Sequence, residues 1–525
     1  MASYGFVIDQ DSCIGCHACT VACKTEHQVP LGVNRTWVKY VEKGAWPDTS
    51  RHFSVMRCNH CANAPCVAIC PTQALFTRKD GIVDFDTDRC IGCKSCMQAC
   101  PYDALYIDPD EHTAQKCNYC VHRVEVGLEP ACVVVCPEQA IIAGDLHDPL
   151  SRIARMVASE DLAVRAPEQG TNPKLWYRGA DQASLDPLMS ELRAGSQIWR
   201  DDPDPAPAWL RVDLTPAHAD GPTGPIRIDR SDEVRPRVVY NTDHPMPWGW
   251  RVSSYFLTKG IAAGLAIVMA LVLVAGGDPT DSALGMWLAP LVSGVFLAAT
   301  GALLVWDLKR PDRFFYLLTK GNRGSWLVRG AWILGAHAAL VGLWFLAGVG
   351  GFDDAVRVLT WASAAVGVAT AGYTALLFGQ AEARDLWQSP TLLWHMVAGA
   401  VAAGGAAGLV LALVVQTPQS SQRVFAWALV GGAMALGAIA AAELASHHPT
   451  RNITQAMHHL TKGAFARQWW LGGQLLGVAV PILAGSVFLS GGPVEMVAIG
   501  CVAVWAGIWF ADDAFVKAGQ SVPLS

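Results

Sequence analysis

The chain has 525 residues, enough for three or four domains at roughly 150 residues each. Charged side chains make up 16% and hydrophobic ones 52%, where a soluble domain averages about 25% charged, which excludes an ordinary soluble or disordered chain. A formal net charge of −6 argues against a nucleic-acid partner.

The opening residues, MASYGFVIDQDSC, have no basic n-region, no apolar h-region and no twin arginine, so they carry no recognisable targeting signal. All but one of the 17 cysteines then fall between Cys13 and Cys136. They form four groups: Cys13, Cys16, Cys19 and Cys23; Cys58, Cys61, Cys66 and Cys70; Cys90, Cys93, Cys96 and Cys100; Cys117, Cys120, Cys132 and Cys136. The last three groups end in Cys-Pro. A C-x2-C-x2-C run lets one loop wrap an iron–sulfur core, and a fourth thiolate followed by proline serves the other cluster of a pair. Sixteen thiolates therefore make four [4Fe–4S] clusters. Zinc sites use paired CxxC units rather than a triple run ending in Cys-Pro. A disulfide framework suits a small secreted domain. Short strand-like runs, GIVDF and ALYI, lie between the groups. Residues 1–150 hold 12 basic and 18 acidic side chains.

Residues 151–245 are polar and proline-rich, and DDPDPAPAW at 201–209 excludes a helix interior. This segment reads as an extended strap or linker, with WYRG and IWR packing on the front domain. Eight apolar runs follow, at 253–276, 283–308, 326–351, 356–380, 392–416, 424–446, 469–490 and 494–516, each near the ~20 residues that cross a bilayer. They are rich in Gly and Ala, which allow close packing in lipid. Trp287, Trp306, Trp326, Trp387, Trp394, Trp469 and Trp470 fall near run ends, as an interfacial belt requires. Cys501 reads as an apolar packer in the eighth run. An even number of spans leaves both ends of this region on one side. Connections on that side hold Lys309, Arg310, Arg313, Lys320, Arg323, Arg329, Arg384, Arg451, Lys462, Arg467 and Lys517, against Arg357 and Arg423 opposite. The positive-inside rule then puts the cysteine-rich domain in the cytoplasm of a cell with this chain in its inner membrane; the rival reading is that those loops dock the acidic front domain or a partner.

The cysteine groups, together with GTNPKLWYRG at 170–179, resemble the four-cluster electron-transfer subunit of dimethyl sulfoxide reductase-type molybdopterin oxidoreductases over about residues 1–180. The resemblance implies crossed ligand sets: Cys13, Cys16 and Cys19 with Cys136; Cys117, Cys120 and Cys132 with Cys23; Cys58, Cys61 and Cys66 with Cys100; Cys90, Cys93 and Cys96 with Cys70. It also implies that the third group lies nearest the membrane. HPMPWGW at 244–250, TKGIAAG, DLKRPDRF and SWLVRGAW resemble the polysulfide reductase (NrfD-type) membrane subunit, which implies a quinone site. The expected architecture is thus an α+β ferredoxin-like four-cluster domain (1–150), a strap (151–245) and an all-α polytopic membrane domain of eight transmembrane helices (246–525).

The expected function is electron transfer and membrane anchoring, between a separate catalytic subunit bearing molybdenum or tungsten on molybdopterin and menaquinone or ubiquinone in the lipid bilayer. This chain supplies no catalytic residue for the substrate half-reaction; the quinone half-reaction falls to the membrane domain. The alternative is an iron–sulfur and quinone module of a proton-translocating complex without a pterin metal. Ionisable groups at lipid depth are functional candidates by default, and His244, Tyr255, Lys259, Asp307 and His337 are the candidates for the quinone site or a proton path. His337 and His395 start from one face but differ by about 12 Å in depth, a poor haem pair, so no haem is expected.

Overall fold

The computed structural model describes residues 2–45, 47–192, 236–243 and 245–525. They form two compact units. One comprises Met1–Pro247 with Ala381–Arg384 and Ser521–Ser525; the other comprises Trp248–Gln380 and Asp385–Gln520.

The first unit is α+β. Its strands are β1 (Tyr4–Asp9), β2 (Thr36–Ala45), β3 (Asp48–Arg57), β4 (Leu75–Thr77), β5 (Val83–Phe85), β6 (Leu105–Ile107), β7 (Ala114–Lys116), β8 (Ile141–Asp145), β9 (Leu162–Ala163), β10 (Leu175–Arg178), β11 (Glu191–Leu192) and β12 (Arg237–Tyr240). They make two four-stranded sheets, β8-β1-β10-β9 and β11-β12-β2-β3, and two hairpins, β4-β5 and β6-β7. Strand register explains which cysteines meet. β1 runs antiparallel to β8 from Tyr4↔Asp145 to Ile8↔Ile141, so Cys13, five residues after Ile8, returns beside Cys136, five before Ile141. β4 pairs Leu75 with Phe85 of β5, which brings Cys70 and Cys90 together by the same count. One helical turn separates the last two cysteines of each group, as in Ala18–His27 and Pro65–Ile69. Four residues advance a helix by about 6 Å, enough to hand the fourth thiol to a neighbouring group.

The strap reading is corrected over residues 152–192. Arg152–Ser159 is a helix whose N-cap Ser151 hydroxyl accepts the Ala154 N–H at 3.1 Å. Its Ile153 and Met156 close a core with Val7 and Ile142. β10 then pairs parallel to β1, from Phe6↔Leu175 to Asp9↔Arg178. Buried apolar side chains on both elements make this segment part of the domain. Residues 193–235, with the proline stretch and IWR, lie outside the described residues.

The second unit contains, among the described residues, eight helices long and apolar enough to cross a membrane: Trp250–Val274, Leu284–Asp307, Trp326–Val349, Asp353–Gly379, Leu392–Ala412, Gln419–Ala445, Gln468–Leu489 and Met496–Ser521, here spans 1 to 8. Span 2 opens with a π-helical turn (Leu284–Leu288), and Trp344 of span 3 donates its indole N–H to the Gly285 carbonyl at 3.0 Å. Span 7 is π-helical over Gln468–Ala479. Cys501 is fully buried in the helical core, as its sequence context indicated. Two belt assignments are corrected. Trp387 and Trp469 are buried, and Trp387 stacks on Trp248 at 5.5 Å because Phe378 closes the same aromatic nest at 4.4 Å.

Spans 1 and 5 approach backbone to backbone. A Cβ on Gly264 would lie 1.7 Å from the Ala400 carbonyl oxygen, and one on Gly404 would lie 2.0 Å from the Gly264 carbonyl carbon. Gly264→Val is therefore expected to cost at least about 3 kcal/mol, the upper end for overpacking a core. Thermal melts in detergent check this, with Gly294→Val, where nothing lies within 4 Å, as the neutral control.

Candidate cluster sites and a membrane pocket

Among the described residues no disulfide joins any of the 17 cysteines. Electrostatic neighbours bring sixteen of them into proximity. Cys13 neighbours Cys136, Cys16 and Cys19; Cys23 neighbours Cys117, Cys132 and Cys120. Cys58 and Cys61 neighbour Cys100, with Cys66 beside all three; Cys96 neighbours Cys93, Cys90 and Cys70. Three electrostatic couplings join the sets in a row: Cys19 with Cys132, Cys117 with Cys58, and Cys66 with Cys96. The order is first, fourth, second, third.

The same backbone device recurs in each group. The residue before the second cysteine is left-handed: Gly15 at φ 69°, His60 at 44°, Gly92 at 66° and Tyr119 at 63°. Such turns point backbone N–H groups into a concavity that suits an anionic centre. Gly92 and Ala114 donate to the Cys90 Sγ at 3.4 and 3.3 Å, and Ala140 donates to the Cys136 Sγ at 3.3 Å.

The thiol chemistry fits a bound iron–sulfur core. Burial pushes the Cys19 and Cys100 thiols up to about 11, and those of Cys61, Cys93 and Cys117 up to about 12. Alone they keep their protons at neutral pH; metal coordination is what makes such thiols thiolates. Among the described residues no three His, Cys, Asp or Glu are arranged to hold a single metal ion. A four-iron core spreads its thiolates wider than one zinc does at about 2.3 Å per bond.

Arg57 makes the need for negative charge explicit. It is fully buried, no carboxylate among the described residues pairs with it, and its Nε and Nη2 have no hydrogen-bond partner. Its Nη1 donates to the Cys132 Sγ at 3.1 Å, and its guanidinium sits over the Phe6 ring at 4.7 Å. A buried cation without a counter-charge costs several kcal/mol, and cluster thiolates supply that charge.

The ends of the row differ. At the first group Cys16 is exposed, and Ile14, Val21, Val134 and Val135 present apolar side chains to solvent. Near the third group the buried Gln98 accepts the Arg384 Nε–H at 2.9 Å. Arg384 is buried in the first unit, and Lys517 lies inside span 8, paired with Asp513 at 2.6 Å. Neither belongs among solvated loop cations, because each is enclosed by polar partners.

In the second unit a small pocket, about 20 Å³ in cavity volume, is lined by Lys259, His395, Asp512, Phe256, Met396 and Ile508, among others. Lys259 donates to the Thr374 Oγ1 at 2.5 Å and the Ala371 carbonyl at 3.1 Å, with its ammonium over the Tyr373 ring at 4.7 Å. His395 Nε2 lies 3.3 Å from Asp512 Oδ1. Glu443, which binds the Ser389 hydroxyl at 3.0 Å and the Thr391 hydroxyl, is an electrostatic neighbour of His395. Of the sequence candidates, Tyr255 is buried beside Lys259, and Asp307 is an electrostatic neighbour of Tyr255. His337 is buried in span 3 with neither ring nitrogen hydrogen-bonded, and it does not line the pocket. His244 lies outside the described residues. His395 and Asp512, which complete the pocket, had no motif to mark them; their only signal was ionisable chemistry within an apolar run.

Family models agree with this division. A 4Fe-4S dicluster domain matches residues 12–75, another matches 50–146, and polysulphide reductase, NrfD, matches 238–523. A tetrathionate reductase subunit of Salmonella typhimurium is 46% identical over 202 residues, covering 38% of this chain and 80% of the relative. A polysulfide reductase chain of Wolinella succinogenes is 43% identical over 178 residues, 33% of this chain and 92% of the relative. A putative dimethyl sulfoxide reductase iron-sulfur subunit of Halobacterium salinarum is 39% identical over 221 residues, 36% of this chain and 84% of the relative. With more than half its length matched by one family and its cysteine-rich part by the dicluster domains, the chain belongs to the polysulphide reductase NrfD family, as an iron–sulfur electron-transfer protein fused to a multi-pass membrane anchor.

Proposed function

We propose that this chain carries electrons between a separate molybdopterin catalytic subunit, with molybdenum or tungsten, and menaquinone or ubiquinone in the membrane. The carrying observation is the unbroken row of four four-thiol groups in a chain that also holds an eight-span NrfD unit. The sixteen cysteines hold four [4Fe–4S] clusters in the crossed sets. The catalytic subunit docks at the first group, whose exposed apolar side chains and exposed Cys16 suit a partner that must bring a redox centre close. The relatives named above, subunits of tetrathionate, polysulfide and dimethyl sulfoxide reductases, support a partner of this class.

Quinone chemistry belongs to the pocket at Lys259, with Tyr255 and Asp307 on the same side of the bundle. Quinone exchange moves two protons with two electrons, and Glu443, His395 and Asp512 form a line of proton-holding groups to that pocket. No haem is part of this reading, since His337 and His395 differ by about 12 Å in depth. The iron–sulfur domain faces the cytoplasm by loop charge. Purification from native membranes, with subunits identified and metals counted, tests the proposal. A pterin-bearing partner and about sixteen irons per chain support it; zinc in place of iron overturns it.

A second reading is favoured by the same line of groups: the membrane unit moves protons across the bilayer, in a complex without a pterin metal. Reconstituted vesicles distinguish the two. Protons appearing beyond those of quinone chemistry favour translocation.

A further inference from the structure

Each four-thiol group receives backbone N–H bonds, and the set Cys23, Cys117, Cys120 and Cys132 also meets a guanidinium and an imidazole. Arg57 Nη1 donates to the Cys132 Sγ at 3.1 Å, and His27 Nε2 lies 3.2 Å from the Cys120 Sγ. Arg57 interacts electrostatically with Cys117 and Cys23 of the same set and with Cys19 of the next. Its strand position explains the placement: β3 ends at Arg57, one residue before Cys58, and the side chain runs under the Phe6 ring to the set opposite. The guanidinium stays charged at any working pH, and no carboxylate among the described residues cancels it.

Iron–sulfur potentials follow net charge, hydrogen bonds to sulfur and exposure. Reduction adds one negative charge to a site already rich in thiolate. A fixed buried cation on a ligand sulfur favours that added charge. We propose that Arg57 is a potential-setting residue, which raises the reduction potential of the cluster held by Cys23, Cys117, Cys120 and Cys132 and makes it an electron-holding step in the row. The event is a one-electron exchange with the adjoining set: one cluster is reduced as its neighbour is oxidised, and no proton or ligand leaves. This inference rests on the ligand sets proposed above.

The test is a potentiometric titration of the purified complex with dithionite and redox mediators, read by low-temperature electron paramagnetic resonance. In Arg57→Met, the redox equilibrium of one cluster signal is expected to shift at least tenfold, about 59 mV lower for a one-electron couple. His27→Gln is expected to lower the same signal. Iron content measured on each variant separates the two claims. Iron missing from the wild-type chain defeats the ligand reading itself. Iron retained in Arg57→Met with all signals unmoved, or all moved equally, overturns the role of Arg57. Should Arg57→Met lose a cluster, Arg57→Gln decides by the same readout.

Discussion

Cys136→Ala is expected to delete the same cluster signal as Cys13→Ala, and to spare the signal lost in Cys132→Ala. Sequence order would pair Cys136 with Cys132, four residues away. The β1-β8 register instead returns Cys136 to Cys13, and these two thiols are electrostatic neighbours. Iron should fall by one four-iron cluster in either variant. Electron transfer from a catalytic partner to quinone should stop, because the first set stands at the exposed end of the row. Magnetic resonance spectra of the three variants side by side check the assignment. A shared loss for Cys136→Ala and Cys132→Ala would refute it.

Asp512→Asn is expected to lower quinone-linked turnover about 10²-fold, in the range of one lost acid–base group, with iron content and dithionite reduction unchanged. Asp512 holds His395 at 3.3 Å and is the acidic neighbour of the buried Lys259. Removing it leaves the Lys259 amine with neutral oxygens and rings around it. Lys259→Met should reproduce the loss. Asp354→Asn is the control, since that carboxylate is 99% exposed and its pair with Arg357 is a surface one worth little. Quinol oxidation assays in proteoliposomes give the comparison; equal turnover in Asp512→Asn and Asp354→Asn would remove the pocket from the mechanism.

Local spacing made the cysteine groups and the eight spans legible in the sequence. A C-x2-C-x2-C run and a 20-residue apolar run each carry their meaning within one turn or one helix. What escaped depends on partners far along the chain. β10 is a four-residue strand whose partner, β1, lies some 170 residues earlier, so its segment passed for a strap. Trp387 sits where a belt residue would, yet Trp248 and Phe378 enclose it. Lys517 has the composition of a loop cation and the geometry of a buried one, since Asp513 lies one turn earlier on the same helix. His395 and Asp512 come from spans 5 and 8, and only helix packing brings them to Lys259. Arg57 precedes a cysteine in sequence but reaches the sulfur of another group.

The nested strand order also sets a timetable for synthesis. Cys13, Cys16 and Cys19 emerge early, but their fourth partner is Cys136, and Cys23 must wait for Cys117, Cys120 and Cys132. At roughly 5–20 residues per second, the ribosome makes Cys136 on the order of ten seconds after Cys19. The two sets nested inside in sequence close before the others, because Cys96 completes one of them and Cys100 the other. Iron delivered to the nascent chain thus finds its first complete four-thiol sets at the end of the row that the second and third groups occupy. Maturation should proceed along the row from the third and second groups towards the first, and a shortage of iron should leave the sets of Cys13 and Cys23 empty first.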